Sequence, residues 1–209
     1  IELYPNIDII LEEGSPSEII SKLRNGTLDL GFGFMPDECI ELRSETLSIE
    51  RILLLVPLKL IRQNYNIESE NIIASLRKKP DLSLIMDCPF LLSDESSRTG
   101  TIVRDIFRYM GLKPKVILES SSLEVLIQLC LRGIGCMFCP ETFISEAIRV
   151  RNNISPDELG VFELEHPTLK REIAISFNKD KYITRAAYKF IDLAKNCVNE
   201  GPFSMGKYI

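Results

Sequence analysis

The sequence predicts an α/β fold of mixed, mostly parallel sheets flanked by helices. Two observations carry this. Short apolar runs of strand type alternate with longer segments whose apolar residues recur at three- and four-residue spacing. Several of those longer segments open on a serine or proline signal and close on glycine, so their ends are set locally. Alternation of this kind lays helices on the faces of a sheet.

The elements run in order along the chain. Ile7, Ile9, Ile10 and Leu11 read as a short strand after Pro5. Gly14-Ser15-Pro16-Ser17-Glu18 opens a helix, with Ser15 suited to the N-cap, Pro16 to the first turn and Glu18 to a capping box. Ile19, Ile20 and Leu23 give its apolar face, and Asn25-Gly26 ends it. Leu28 to Phe34 is the next strand, and Thr46 to Val56 a longer one. Leu58 to Asp87 is less regular, with a short helix near Ser69 to Arg77. Pro89 to Ser93 is a strand. The polar turn Ser96 to Gly100 leads into a helix carrying Ile102, Val103, Ile106, Phe107 and Met110, stopped by Gly111. Val116 to Leu118 is a strand. Ser121-Ser122-Leu123-Glu124 reads as a second capping box, opening a helix from Leu123 to Arg132 that Gly133 ends. Ile134 to Cys139 is a buried strand, after which Pro140 starts a helix as its first residue. Residues 151–157 read as a surface loop, and Val161 to Leu164 and Glu172 to Phe177 as strands. Tyr182 to Val198 is a terminal helix with Ala186, Ala187, Phe190, Ile191 and Ala194 inward, and Gly201 onward is a tail.

Composition excludes several function classes. The 209 residues hold 25 Lys and Arg against 30 Asp and Glu, a net charge of −5, with no basic block to hold DNA or an anionic membrane. No apolar run approaches the 18 or so residues of a membrane helix, since Ile52 to Val56 ends at Pro57. Glu2, Pro5 and Asp8 break any secretory h-region. The six cysteines lack the dense spacing of a disulfide framework and read as reduced thiols of a cytoplasmic protein.

Chemistry concentrates at four helix starts: Ser15-Pro16-Ser17, Ser97-Arg98-Thr99, Ser120-Ser121-Ser122 and Cys139-Pro140. In an open α/β sheet ligands bind beyond the carboxyl ends of strands, where helix N-termini present free N–H groups that favour anions. A cleft for a small polar or anionic ligand is expected there, although for any single serine, capping is the commoner role. Cys136 and Cys139 form a C-x-x-C inside an apolar run, which fits core packing better than redox chemistry, and the four scattered cysteines read the same way. His166, the single histidine, precedes Pro167 in a turn, and no G-x-S-x-G elbow accompanies it. Glu12 and Glu13 would point to opposite faces of a strand. Gly31-Phe32-Gly33 lacks the third glycine of a dinucleotide site. Nothing assembles into a catalytic set, so neither an enzyme, nor a metal, nor a cofactor is expected.

An ordered set of segments resembles the effector-binding domain of LysR-type transcriptional regulators. The set comprises Tyr4-Pro5, Leu11 to Ser15, Leu23 to Gly31, Glu45 to Pro57, Pro89 to Leu92, Phe107-x-x-x-Gly111-Leu112-x-Pro114, Glu119 to Ser121 and Leu131 to Pro140. Each motif is weak by itself, and the order and spacing from Tyr4 to Val198 are what make the likeness specific. The resemblance implies a two-lobed, type II periplasmic-binding-protein-like fold, with residues 1–56 plus 161–209 as lobe I and 57–160 as lobe II. It implies a small effector bound between the lobes. By position the pocket candidates are Phe34, Met35, Ser93, Ser97, Arg98, Thr99, Ser121, Cys139 and Pro140. Phe34 stands where many members place a small polar residue, which implies a smaller or more apolar pocket. It further implies a homo-oligomer, dimer or tetramer, that meets DNA only through a winged helix-turn-helix absent from these residues. The family's first strand and most of its first helix are likewise expected before Tyr4. A solute-binding protein of the same fold, or an enzyme built on it, are the competing readings, separated by the sequence upstream.

Overall fold

The computed structural model describes residues 4–34, 39–144 and 158–200, with side chains to 198. The chain divides into two compact units, Ile1–Ile49 with Arg171–Ile209, and Glu50–Lys170. The predicted loop at 151–157 and the tail from Gly201 lie outside the described residues.

In the unit Glu50–Lys170, the second half of strand β2 (Leu42–Pro57) is the central strand. It pairs antiparallel with β5 (Met137–Pro140) through Ile52 to Leu55, and with β6 (Leu159–Phe162) through Leu54 to Pro57. Strand β3 (Pro89–Ser93) pairs parallel with β4 (Lys115–Ser120), and a parallel bridge joins Phe90 to Cys136 just before β5. The parallel character therefore resides in β3, β4 and that bridge. The antiparallel pairs enter with β2, whose neighbours arrive from some 80–110 residues later, and strand–helix alternation says nothing about them.

The unbroken run Ile52 to Val56 has a physical reason. Successive strand residues face opposite sides, and both sides of this layer are covered, so every position must be apolar. Ile52, Leu54, Val56, Phe90, Leu92, Cys136 and Phe138 join Val103, Ile106 and Phe107 of helix α4 (Arg98–Tyr109) in one core. Leu53, Leu55, Leu91, Met137 and Cys139 join Leu126, Ile127 and Cys130 of helix α5 (Leu123–Leu131) in another. Phe107 stands edge-on to Phe90 and Phe138, at 5.3 and 6.0 Å between centroids. The first core also takes helix α2 (Leu58–Tyr65), through Leu58, Leu60 and Ile61, and helix α3 (Ser69–Lys78), through Ile73 and Leu76. Helix α2 escaped the sequence reading because it continues from β2 without a break. Its N-cap is Pro57, which offers no side-chain hydrogen bond.

In the other unit, helix α1 (Pro16–Arg24) opens with the predicted capping box. Ser15 Oγ accepts from the Glu18 N–H, and the Glu18 carboxylate accepts from the Ser15 N–H at 2.8 Å. Strand β1 (Gly31–Gly33) pairs antiparallel with β7 (Lys170–Asn178), and the order continues to β2. Helix α6 (Arg185–Glu200) buries Ile191 against Ile175 and Phe177. The predicted glycine stops hold: Gly26, Gly111 and Gly133 lie at φ +76°, +67° and +72°.

Other expectations are corrected. Residues 7–11 are not a strand; they carry no ladder, and Ile10 and Leu11 are 83% and 85% exposed. Strand β1 is shorter than Leu28 to Phe34 because only Gly31 to Gly33 reach β7. Phe190 is not inward but exposed, edge-on to Phe32. Cys39 is half-buried and Cys197 exposed, so they are not core residues, unlike Cys88, Cys130, Cys136 and Cys139. Pro140 ends β5 rather than starting a helix, because it stays in register with Ile52; residues 141–144 are helical.

Candidate functional site

The candidate site lies in the unit Glu50–Lys170, at the edge where β3, β4 and β5 end. Ser93, Ser120 and Pro140 are the last residues of those strands, and the Asp94 N–H donates to the Ser120 carbonyl at 3.2 Å, holding two of the ends together. The chain turns at Asp94, whose carboxylate accepts from Ser96 Oγ at 2.6 Å and from the Ser97 N–H at 3.2 Å. Ser97 then caps α4, its Oγ accepting from the Gly100 N–H at 2.9 Å. Among the described residues, the N–H groups of Arg98 and Thr99 have no acceptor, and the exposed Arg98 guanidinium has no partner. Thr99 is buried.

At the next helix start the cap is Ser122, not Ser121. Ser122 Oγ accepts from the Val125 N–H at 3.4 Å and donates to Glu124, so the reciprocal box predicted from Ser121 to Glu124 does not form. Ser121 is left exposed, with its hydroxyl uncommitted among the described residues.

At the end of β5, Cys139 and Pro140 are buried in the strand. Cys139 is pushed up by burial, and Cys136 by its Cys88 neighbour together with burial, so neither is a thiolate poised for redox chemistry. Sequence reasoning missed the charged cluster beside them. Arg51 reaches Glu141 through Nε at 2.7 Å and Nη2 at 2.6 Å, and Glu163 through Nη1 at 2.7 Å. Glu163 also meets Lys170 at 3.1 Å, and Thr142 donates to the buried Glu50 at 2.5 Å. Burial alone would raise Glu163, but hydrogen bonds from Lys170 and Arg51 outweigh it and hold the carboxyl below its usual 4.5. Glu50, Glu141 and Glu163 thus place three carboxylates at this corner, alongside Arg51 and Lys170.

Arg104 was missed as well. Its Nη1 donates to the Ser93 carbonyl at 2.7 Å and the Gly100 carbonyl at 3.2 Å, tying the end of β3 to the first turn of α4, while Nη2 pairs with Glu119 of β4 at 2.8 Å. Its Nε also faces Glu95 at 3.5 Å, so its partners are 11, 4, 15 and 9 residues away and no single spacing marks the residue. Of the remaining candidates, Phe34 belongs to the other unit and lies under the Arg171 guanidinium at 4.0 Å, and Met35 lies outside the described residues. His166 caps a turn, with Nδ1 2.8 Å from Thr168 Oγ1, and stands edge-on to Tyr109. Glu12 and Glu13 are exposed, with Glu12 paired to Lys22. Among the described residues no group of three His, Cys, Asp or Glu side chains is placed to hold a metal ion, and no helix is long and apolar enough to cross a membrane.

The profile of the family described as "LysR substrate binding domain" matches residues 1–197. The chain belongs to that family. The LysR domain is 23% identical over 195 residues to the uncharacterized HTH-type transcriptional regulator YwbI of Bacillus subtilis (strain 168), an alignment covering 93% of this chain and 58% of that protein. It therefore spans under two thirds of this relative's length. Among solved structures it is similar to the BenM effector-binding domain with its effector benzoate, at TM-score 0.66 and 21% identity over 94% of this chain and 81% of that one. It is also similar to the Synechocystis PCC6803 CcmR regulatory domain in complex with 2-PG, at TM-score 0.65 and 18% identity over 95% and 87%. These likenesses show the fold, the type II periplasmic-binding-protein-like fold of LysR effector-binding domains.

Proposed function

We propose that this LysR domain is a ligand sensor that takes a small anionic or polar effector at the strand-end edge of the unit Glu50–Lys170. The observation that carries the reading is the first turn of α4, where two acceptor-free N–H groups sit beside the unpaired Arg98. A carboxylate there gains the helix dipole, two backbone donors and a charge-assisted hydrogen bond together. The uncommitted Ser121 hydroxyl supplies a further donor from the next helix start. Ser97 and Ser122 shape the site as caps, while Ser93, Thr99, Cys139 and Pro140 form its packed base. The solved relatives named for benzoate and 2-PG support a small carboxylate as the ligand class. The division into residues 1–56 plus 161–209 and 57–160 belongs to this proposal, as do a homo-oligomeric, cytoplasmic regulator without enzymatic activity and its action on DNA through a segment outside these residues. A ligand shifts such a regulator only by binding one of its states more tightly than another.

A thermal-shift screen of the chain against small carboxylates tests this. At 100 times its Kd a ligand stabilises by about 2.7 kcal/mol. For a chain of this size that raises the melting temperature by about 5–10 °C. Arg98→Ala and Ser121→Ala are expected to melt like the parent and to lose most of that shift. If both variants kept the full ligand-induced shift, the effector would not bind at this edge.

A further inference from the structure

A cavity lies along α4 in the unit Glu50–Lys170. It is a groove of about 490 Å³ between the outer side of α4, the turn beyond it, and β4, within the size range of small-molecule sites. Its apolar lining is Leu92, Phe107, Leu112, Pro114 and Val116. Its charged lining is Arg104, Arg108 and Lys113 against the single carboxylate Glu119. Arg108 is committed to Asp105 at 2.5 Å, and Lys113 has no partner among the described residues.

Arg104 is the informative group. Nη1 is spent on the Ser93 and Gly100 carbonyls and Nε faces the exposed Glu95 carboxylate at 3.5 Å, but Nη2 is buried without a hydrogen-bond acceptor. Its 2.8 Å approach to Glu119 is an ion pair that lacks hydrogen-bond geometry. The Glu119 side chain is half exposed, so it can turn to solvent at little cost. Glu119 therefore sits where a better-aligned carboxylate would sit. A carboxylate entering along the groove can take the Nη2 donor that Glu119 uses poorly. Its apolar tail then lies over Phe107 and Leu112, toward the C-terminal end of α4, keeping its charge away from the negative end of the helix dipole.

We propose that this groove binds a medium-chain or aryl carboxylate, with Glu119 as the internal group that the ligand's carboxylate displaces. The groove adjoins the helix-start edge through Arg104, but its lining excludes Arg98 and Ser121, and its test reads octanoate rather than the effector.

The test titrates the 15N-labelled chain with sodium octanoate and records amide shifts, with octylammonium chloride as the charge control. Saturable shifts are expected at residues 104–119 with octanoate, and binding at least about tenfold weaker with octylammonium, the size of one charge-assisted hydrogen bond. Glu119→Gln removes the competing charge and is expected to tighten octanoate binding several-fold; Lys113→Glu is expected to weaken it. Both positions are exposed, and far-UV circular dichroism checks the fold of each variant. Equal binding of the two amphiphiles, shifts away from residues 104–119, or no gain with Glu119→Gln would each overturn the proposal. So would concentration-dependent broadening of the same amides without octanoate, which would assign the groove to a second copy of the chain.

Discussion

Replacing Gly100 with alanine tests how the candidate site is built. Gly100 is the third residue of α4, and a Cβ there would lie 2.5 Å from the Ser93 carbonyl oxygen and closer still to that of Asp94. Both are backbone atoms, fixed by the Asp94–Ser120 hydrogen bond and by Arg104, so the first turn of α4 must lift away. Overpacking of this kind costs about 1–3 kcal/mol. Lifting the turn also strains the Ser97 cap, worth about 1 kcal/mol, while alanine's better helix propensity returns about 1 kcal/mol. The net expectation is a loss of about 1–3 kcal/mol, or about 2–12 °C in melting temperature at this chain length. Thermal and urea unfolding of Gly100→Ala beside Ser97→Ala measure it. Ser97→Ala removes the cap alone and should lose about 1 kcal/mol. A Gly100→Ala variant as stable as the parent would refute the close approach of α4 to the end of β3, and with it the geometry that presents the Arg98 and Thr99 N–H groups.

Two further outcomes are expected from the same structure. Glu163 is held below its usual 4.5, so its contribution to stability is complete above that value and is lost as pH falls through the lower folded value. Glu163→Gln should therefore show a shallower loss of stability on acidification than the parent in urea unfolding below pH 4.5; parallel curves would contradict the Arg51–Glu163–Lys170 linkage. Among the six cysteines, Cys197 and Cys39 should react rapidly with a thiol reagent in the folded chain. Cys130, pushed up by burial to about 12, and the buried Cys88, Cys136 and Cys139 should react only on unfolding, as mass spectrometry of the labelled chain would show.

The helix starts were legible because a capping residue and the N–H it serves are three residues apart. Ser15 with Glu18 could be found by spacing alone, whereas Ser97, whose Oγ accepts from the Gly100 N–H, read only as part of a polar turn. The same rule misplaced the cap of α5 by one residue, since Ser120, Ser121 and Ser122 offer three hydroxyls in a row and only the path of the chain leaving β4 selects Ser122. The Ile7 to Leu11 run shows the opposite failure. Its composition suits a strand, but a strand exists only through a partner, and Ile10 and Leu11 stand exposed without one.

What the sequence by itself determined is local: the limits of α1 and α4, the glycine stops, the aliphatic run that requires a sheet covered on both sides, and the ordered motifs of the LysR family. Tertiary structure alone decided that β2 pairs antiparallel with β5 and β6. It also decided that Arg51 meets Glu141 and Glu163, 90 and 112 residues away, and that Arg104 joins β3, α4 and β4. The reason is range. Caps and helical faces repeat within four residues and leave a periodic trace, whereas ladders and buried ion pairs form between segments whose separation carries no period, and only the folded chain brings them within about 3 Å, the reach of a hydrogen bond.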